Sequence, residues 1–158
     1  DCFSTSDRWT AAARMVSSLE KLYCGNTKVS DLSPLSSITN LRLLSCHSTP
    51  VSDLWPVSAL NKLQFIDIDR THVNTLSALS TLILLEDLSC NATNVEDLSP
   101  LSSLTQLRKI SLFNTKATQL LQLKGLHNLR HLTCSASRVT KAEVAKLKKA
   151  LPKCQIIH

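Results

Sequence analysis

Glycine is nearly absent from this chain, with 2 in 158 residues, and aromatic residues make up only 4%. Loops that cradle phosphates use glycine to bring backbone close to the anion, and single-strand nucleic-acid binders use stacked aromatic rings. Both classes start at a disadvantage. No apolar run approaches the roughly 18 residues that a membrane span needs. There is no Cys-x-x-Cys, no His-Glu-x-x-His, no Gly-rich phosphate loop and no Ser/His/Asp spacing signature. Zinc, metalloprotease, nucleotide and triad chemistry therefore have no local motif. The chain opens at Asp1, not Met, without a signal-peptide pattern; we read this as a processed end or a piece of a longer protein.

What the chain does have is a core-forming composition, with 43% apolar and 19% charged residues, and the length of one domain. Its charge is polarised. Residues 1–104 carry 7 basic and 11 acidic side chains, whereas residues 105–158 carry 11 basic and 1 acidic, for a net +6 overall. Such polarity steers association without specifying a fold.

A repeat dominates everything else. Leu22, Leu44, Ile66, Leu88, Ile110 and Leu132 recur every 22 residues, and Cys154 continues the series. Two positions on stand Cys24, Cys46, Ile68, Cys90, Leu112, Cys134 and Ile156. Three positions before the first column come Leu19, Leu41, Leu63, Leu85, Leu107, Leu129 and Leu151. Further columns read Val29, Val51, Val73, Val95, Ala117, Val139 and Leu32, Leu54, Leu76, Leu98, Leu120, Ala142. The alternating apolar pair, such as Leu88 and Cys90 around Ser89, has the period of a strand with one buried face. Ser33-Pro34 and Ser99-Pro100 read as N-cap and first-turn positions of a short helical return. No single unit buries its own apolar side, so the units must stack.

The pattern L-x-x-L-x-[CIL]-x-x-T-x-V resembles the leucine-rich repeat family over about residues 22–158. The phrases VSDLSPL (29–35) and VEDLSPL (95–101) are similar to the short repeats of bacterial internalins and of the phosphatase-regulatory subclass. The resemblance implies an α/β solenoid, a right-handed superhelix with a parallel sheet on its concave face and short helical or 3-10 returns on the convex face. In the turn where that family places Asn, this chain has Thr27, Thr49, Thr71, Thr93, Thr115 and Ser137. These hydroxyls are expected to bond the backbone of adjacent turns.

The expected organisation is a capping helix or degenerate repeat over 1–18, repeats over 19–139, and a closing helix and strand over 140–158. Trp9, Ala12, Val16 and Leu19 would share a helical face over the first strand, and Cys2, 22 residues before Cys24, hints at a unit that begins earlier. Thr140–Ala150 reads as an amphipathic helix stopped by Pro152, with Cys154-Gln155-Ile156 as the last strand. Trp55 is expected to pack on the convex side. The column cysteines read as small hydrophobes with inert thiols, not as bridges or nucleophiles. Asn91-Ala92-Thr93 matches a glycosylation acceptor, which we read as an accident of the repeat.

The candidate partner-binding residues are those flanking the buried pairs: Tyr23, Leu43, His47, Phe65, Asp67, Asp69, Glu86, Asp87, Arg108, Lys109, Phe113, Arg130 and His131. They describe an apolar start, an acidic middle and a basic end. Lateral pairs such as Glu86 with Arg108 would add little stability. His47, Asp67 and Asp69 are ligand-type residues, but salt pairing accounts for them and no metal or cofactor is assigned. The favoured function is a non-catalytic protein-interaction module. Seven strands would span about 34 Å, room for a helix or an interface of roughly 800 Å². The alternative is nucleic-acid or acidic-partner binding through the basic half, where Lys141, Lys146, Lys148, Lys149 and Lys153 cluster. We expect no catalysis, a cytoplasmic monomer, no membrane contact, and another protein as partner.

Overall fold

The structure, a computed structural model, describes residues 18–158. The reading of residues 1–18 as a cap, and those of Cys2 and Trp9, fall outside the described residues except for Ser18. Among the described residues one parallel sheet runs through the molecule in strict chain order. Its strands are β1 (Lys21–Tyr23), β2 (Leu43–Ser45), β3 (Phe65–Asp67), β4 (Asp87–Ser89), β5 (Lys109–Ser111), β6 (His131–Thr133) and β7 (Gln155–Ile157). Each has three residues: the first member of the apolar pair with a flanking residue on either side, or Gln155–Ile157 around Ile156 in β7.

The register follows the repeat. Leu44 lies opposite Ile66, Ile66 opposite Leu88, and Leu88 opposite Ile110. All of these are fully buried, as are Cys46, Ile68, Cys90 and Leu112 two positions on. The core is thus a stack of equivalent layers, each covered by the next.

The returns are 3-10 helices at Ser33–Ser37, Trp55–Val57, Ser77–Leu79, Ser99–Leu101 and Leu120–Leu123. Pro sits in the first turn of three of them, where its missing amide leaves nothing unpaired. The serines do not cap these turns. The cap is a residue two positions earlier: Asp31 accepts the Ser33 amide at 2.8 Å, Asp53 that of Trp55 at 2.8 Å, Thr75 that of Ser77 at 3.2 Å and Asp97 that of Ser99 at 2.9 Å. A short acceptor two residues before an amide closes this loop with less reach than a serine within the turn. The Ser33 and Ser99 hydroxyls donate to the same aspartates. These bonds from Ser33 and Ser99 hold the carboxyls of Asp31 and Asp97 below their ordinary range.

After each strand the chain turns through a left-handed residue. Asn26, Ser48, Arg70, Ala92, Asn114 and Ala136 all have φ between 52 and 57°. None is glycine, so each carries the strain of a Cβ near the following carbonyl. The conformation aims the amide at the next coil: Ser48 donates to the Asp69 carbonyl at 2.7 Å, Arg70 to Asn91 and Ala92 to Phe113, both at 2.8 Å. The adjoining hydroxyl column works differently from expectation. Thr49 donates to the Cys46 carbonyl at 2.6 Å, Thr71 to Ile68 at 2.7 Å and Thr93 to Cys90 at 2.7 Å. A threonine hydroxyl is too short to reach the neighbouring coil, so it closes its own turn, and the left-handed amide makes the link between coils.

The last unit departs from the 22-residue rule. Helix α1 (Lys141–Ala150) replaces the 3-10 return. Thr140 accepts the Glu143 amide at 3.2 Å as its N-cap. The longer return moves the closing register by two: Ile156 pairs with Leu132, not with the Cys134 layer, and Cys154 lies before the strand, buried. A shift of two preserves which side chains face inward, because strand faces alternate with period two.

Two substitutions test the turn. Ala92→Gly should raise stability by about 0.5–1 kcal/mol, since relief of the left-handed strain exceeds glycine's added chain entropy. Thr93→Val should lower it by about 1–3 kcal/mol by orphaning the Cys90 carbonyl. Urea unfolding with an unchanged slope would check both.

Candidate functional site: the open face of the sheet

Three columns of side chains stand on the sheet face opposite the core. Lys21, Leu43, Phe65, Asp87, Lys109 and His131 are register partners across β1 to β6. Tyr23, Ser45, Asp67, Ser89, Ser111 and Thr133 form the second column in the same way. Gly25, His47, Asp69, Asn91, Phe113 and Ser135 continue it past the strand ends.

Leu43 and Phe65 lie side by side and are half-buried. Tyr23 is 61% exposed beside them on β1, and Phe113 is 48% exposed beyond the end of β5. His47 rests on Gly25: a Cβ there would overlap the imidazole.

The acidic residues divide into two kinds. Glu86 faces Arg108 at 3.4 Å and Asp87 faces Lys109 at 3.9 Å, both across one strand spacing. Partial burial raises the Asp87 carboxyl above its ordinary range, Lys109 draws it back, and Asp67 adds to the rise. Asp67 instead accepts the Ser45 hydroxyl at 2.9 Å and the Asp69 amide at 3.1 Å. Asp69 accepts the Ser89 hydroxyl at 2.7 Å, the Asn91 amide at 2.7 Å and the Asn91 side-chain amide at 2.9 Å. The Asn91 side-chain oxygen Oδ1 in turn accepts the Phe113 amide at 2.8 Å. A side-chain ladder Asp69–Asn91 therefore satisfies strand-end amides from one coil to the next.

His47, Asp67, Asp69 and Phe113 line one open trough of about 490 Å³, together with Arg70 and Asn91 among others. Leu43 and Phe65 adjoin it by register. Arg130 ends on backbone, its Nη1 donating to the His127 carbonyl at 2.8 Å and the Leu129 carbonyl at 3.2 Å. It and His131 stand on β6 and its approach, five strand spacings or about 24 Å from Tyr23, so one small contact could not use both ends. Among the described residues no group of three His, Cys, Asp or Glu converges as metal ligands.

Sequence reasoning missed several features. Asn91 bonds Asp69, Ser89 and the Phe113 amide through its side chain, and Thr93 of the same acceptor pattern is buried, so both residues have structural roles in the turn. Trp55 does not pack away on the convex side: it is 66% exposed, because the position it shares with Ser33, Ser77 and Ser99 points outward. Ile83 and Leu84 are 60% and 44% exposed. Their signal was legible, since the same turn reads Thr39-Asn40, Asn61-Lys62, Thr105-Gln106 and His127-Asn128 in the other units.

The comparisons with known proteins fit this geometry. Residues 17–58 match the family model for leucine-rich repeats in two copies. A leucine-rich repeat protein of Leptospira interrogans superposes with a TM-score of 0.84 and 22% identity, covering 90% of this chain and 38% of that one. The chain has the leucine-rich repeat solenoid fold. Internalin F of Listeria monocytogenes matches with a TM-score of 0.73 and 22% identity over 94% of this chain and 49% of its own. Internalin C2 of the same organism gives 0.74 and 24% over 87% and 61%. The chain thus spans less than two thirds of each of these structures. No curated protein matches the sequence.

Inside the solenoid the cysteines are chemically muted. Burial pushes the thiols of Cys46, Cys90 and Cys154 upward, and that of Cys134 to about 11. With the thiolate suppressed, a maleimide at pH 7 should leave these four unlabelled in the folded protein and modify them fully in guanidinium, as read by peptide mass mapping.

Proposed function

We propose that this solenoid is a non-catalytic protein-interaction module whose partner docks on the open, concave face of the sheet. The observation that carries the reading is the Leu43–Phe65 pair. Two large apolar side chains share one register step in a column otherwise made of Lys21, Asp87, Lys109 and His131, with Tyr23 exposed diagonally across on β1. Apolar and aromatic groups ringed by polar ones are the usual composition of a protein contact. Each coil contributes independent face positions on a common backbone, so this surface varies without disturbing the core.

The raised thiols and the absence of a core disulfide among Cys46, Cys90, Cys134 and Cys154 suit a reducing compartment, and we place the module there as a monomer. The alternative, binding of a polyanion by the basic half, draws on the exposed Lys141, Lys148 and Lys149 of α1. Lysines on a closing helix also serve its solubility, so the apolar pair favours the sheet.

The test is differential capture from lysate of the source organism. Leu43→Ala/Phe65→Ala should lose a specific partner at unchanged melting temperature, while Trp55→Ala on the return side should keep it. Retention by the double variant would move function off the sheet face.

A further inference from the structure

The charges on and beside the open face are unevenly matched. Glu20, Glu86 and Asp87 each face a cation, Arg42, Arg108 and Lys109 respectively. Asp67 and Asp69 form no ion pair among the described residues. Every donor they receive is neutral: a serine hydroxyl and a backbone amide for Asp67; a serine hydroxyl, a backbone amide and an asparagine amide for Asp69. Arg70 lines the same trough but pairs with neither. Neutral donors orient a carboxylate without cancelling its charge. Two half-buried carboxylates thus stand two positions apart, Asp67 at the end of β3 and Asp69 in the turn that follows it. Phe113, 48% exposed, lines the trough with them. A carboxylate beside an aromatic face suits an ammonium or guanidinium group on both counts. The Leu43–Phe65 pair lies about 7 Å back along the strand from Asp67.

We propose that the partner segment is basic and amphipathic. It sets a Lys or Arg side chain among Asp67, Asp69 and Phe113, and an apolar side chain about 7 Å away on Leu43–Phe65. That spacing corresponds to positions i and i+2 of an extended segment or i and i+4 of a helix, whose axial rise is about 6 Å. The inference rests on the sheet-face reading and adds the partner's charge to it.

The experiment pans a phage library of random twelve-residue peptides on the folded protein, on Asp67→Asn and on Phe65→Ala, each checked by circular dichroism. Asp67→Asn keeps the side chain's shape and an acceptor oxygen. The wild type should enrich peptides with a Lys or Arg two or four positions from a large apolar residue. The synthetic consensus peptide should bind Asp67→Asn about tenfold more weakly at low salt, with a flatter salt dependence, and Phe113→Ala should also weaken it. Enrichment of acidic or neutral peptides, or no enrichment, overturns the proposal. So does a consensus that depends on Phe65 but not on Asp67; that outcome leaves the sheet-face reading standing. Binding indifferent to both Phe65 and Asp67 sinks that reading as well.

Discussion

Stacking is the constraint on which the rest of this molecule depends. A coil of 22 residues presents one row of Leu, Ile, Val and Cys that it cannot cover by itself, and only the same row on a neighbour has the right shape. From this follow the parallel sheet in chain order, the identical register step from strand to strand, and the near-zero exposure of residues such as Leu44, Ile66 and Leu88. The same constraint explains why the closing helix changes the register by two and not by one: an odd shift would have turned Ile156 away from the core.

The turn after each strand converts stacking into a rigid platform. Its left-handed residue is strained, and the strain is offset by an amide bond to the next coil and a hydroxyl bond within its own. Because these bonds use backbone and the threonine column alone, the face positions on either side carry no structural duty and are free to differ between units. Two of them have nevertheless acquired one: Asp69 and Asn91 accept the amides of the following coil. Side chains that look like a ligand set in one dimension are, in part, extensions of the backbone network.

Electrostatics on the open face then separate into local and residual parts. Lateral pairs at one strand spacing quench Glu86 and Asp87, so the acidic middle is narrower than a tally of carboxylates implies. What remains is concentrated at Asp67 and Asp69, next to exposed apolar surface. The fold is shared with bacterial leucine-rich repeat proteins at low identity.

The sequence by itself determined the repeat, the inward columns, the seven strands and the closing helix, because burial of an apolar row is a periodic requirement and periodicity is visible in one dimension. Phase also places Leu43, Phe65, Asp67, Asp87 and Lys109 on the face away from the core, whereas Glu86, Arg108 and Arg130 precede their strands. Only the tertiary structure decided how those residues are used. Whether a carboxylate is quenched by a lysine or left to hydroxyls, whether Trp55 is covered, whether Thr93 bonds its own coil or the next, and which layer Ile156 joins all depend on contacts between coils. Those contacts are set by side-chain reach and by the length of each return, and neither leaves a period in the sequence.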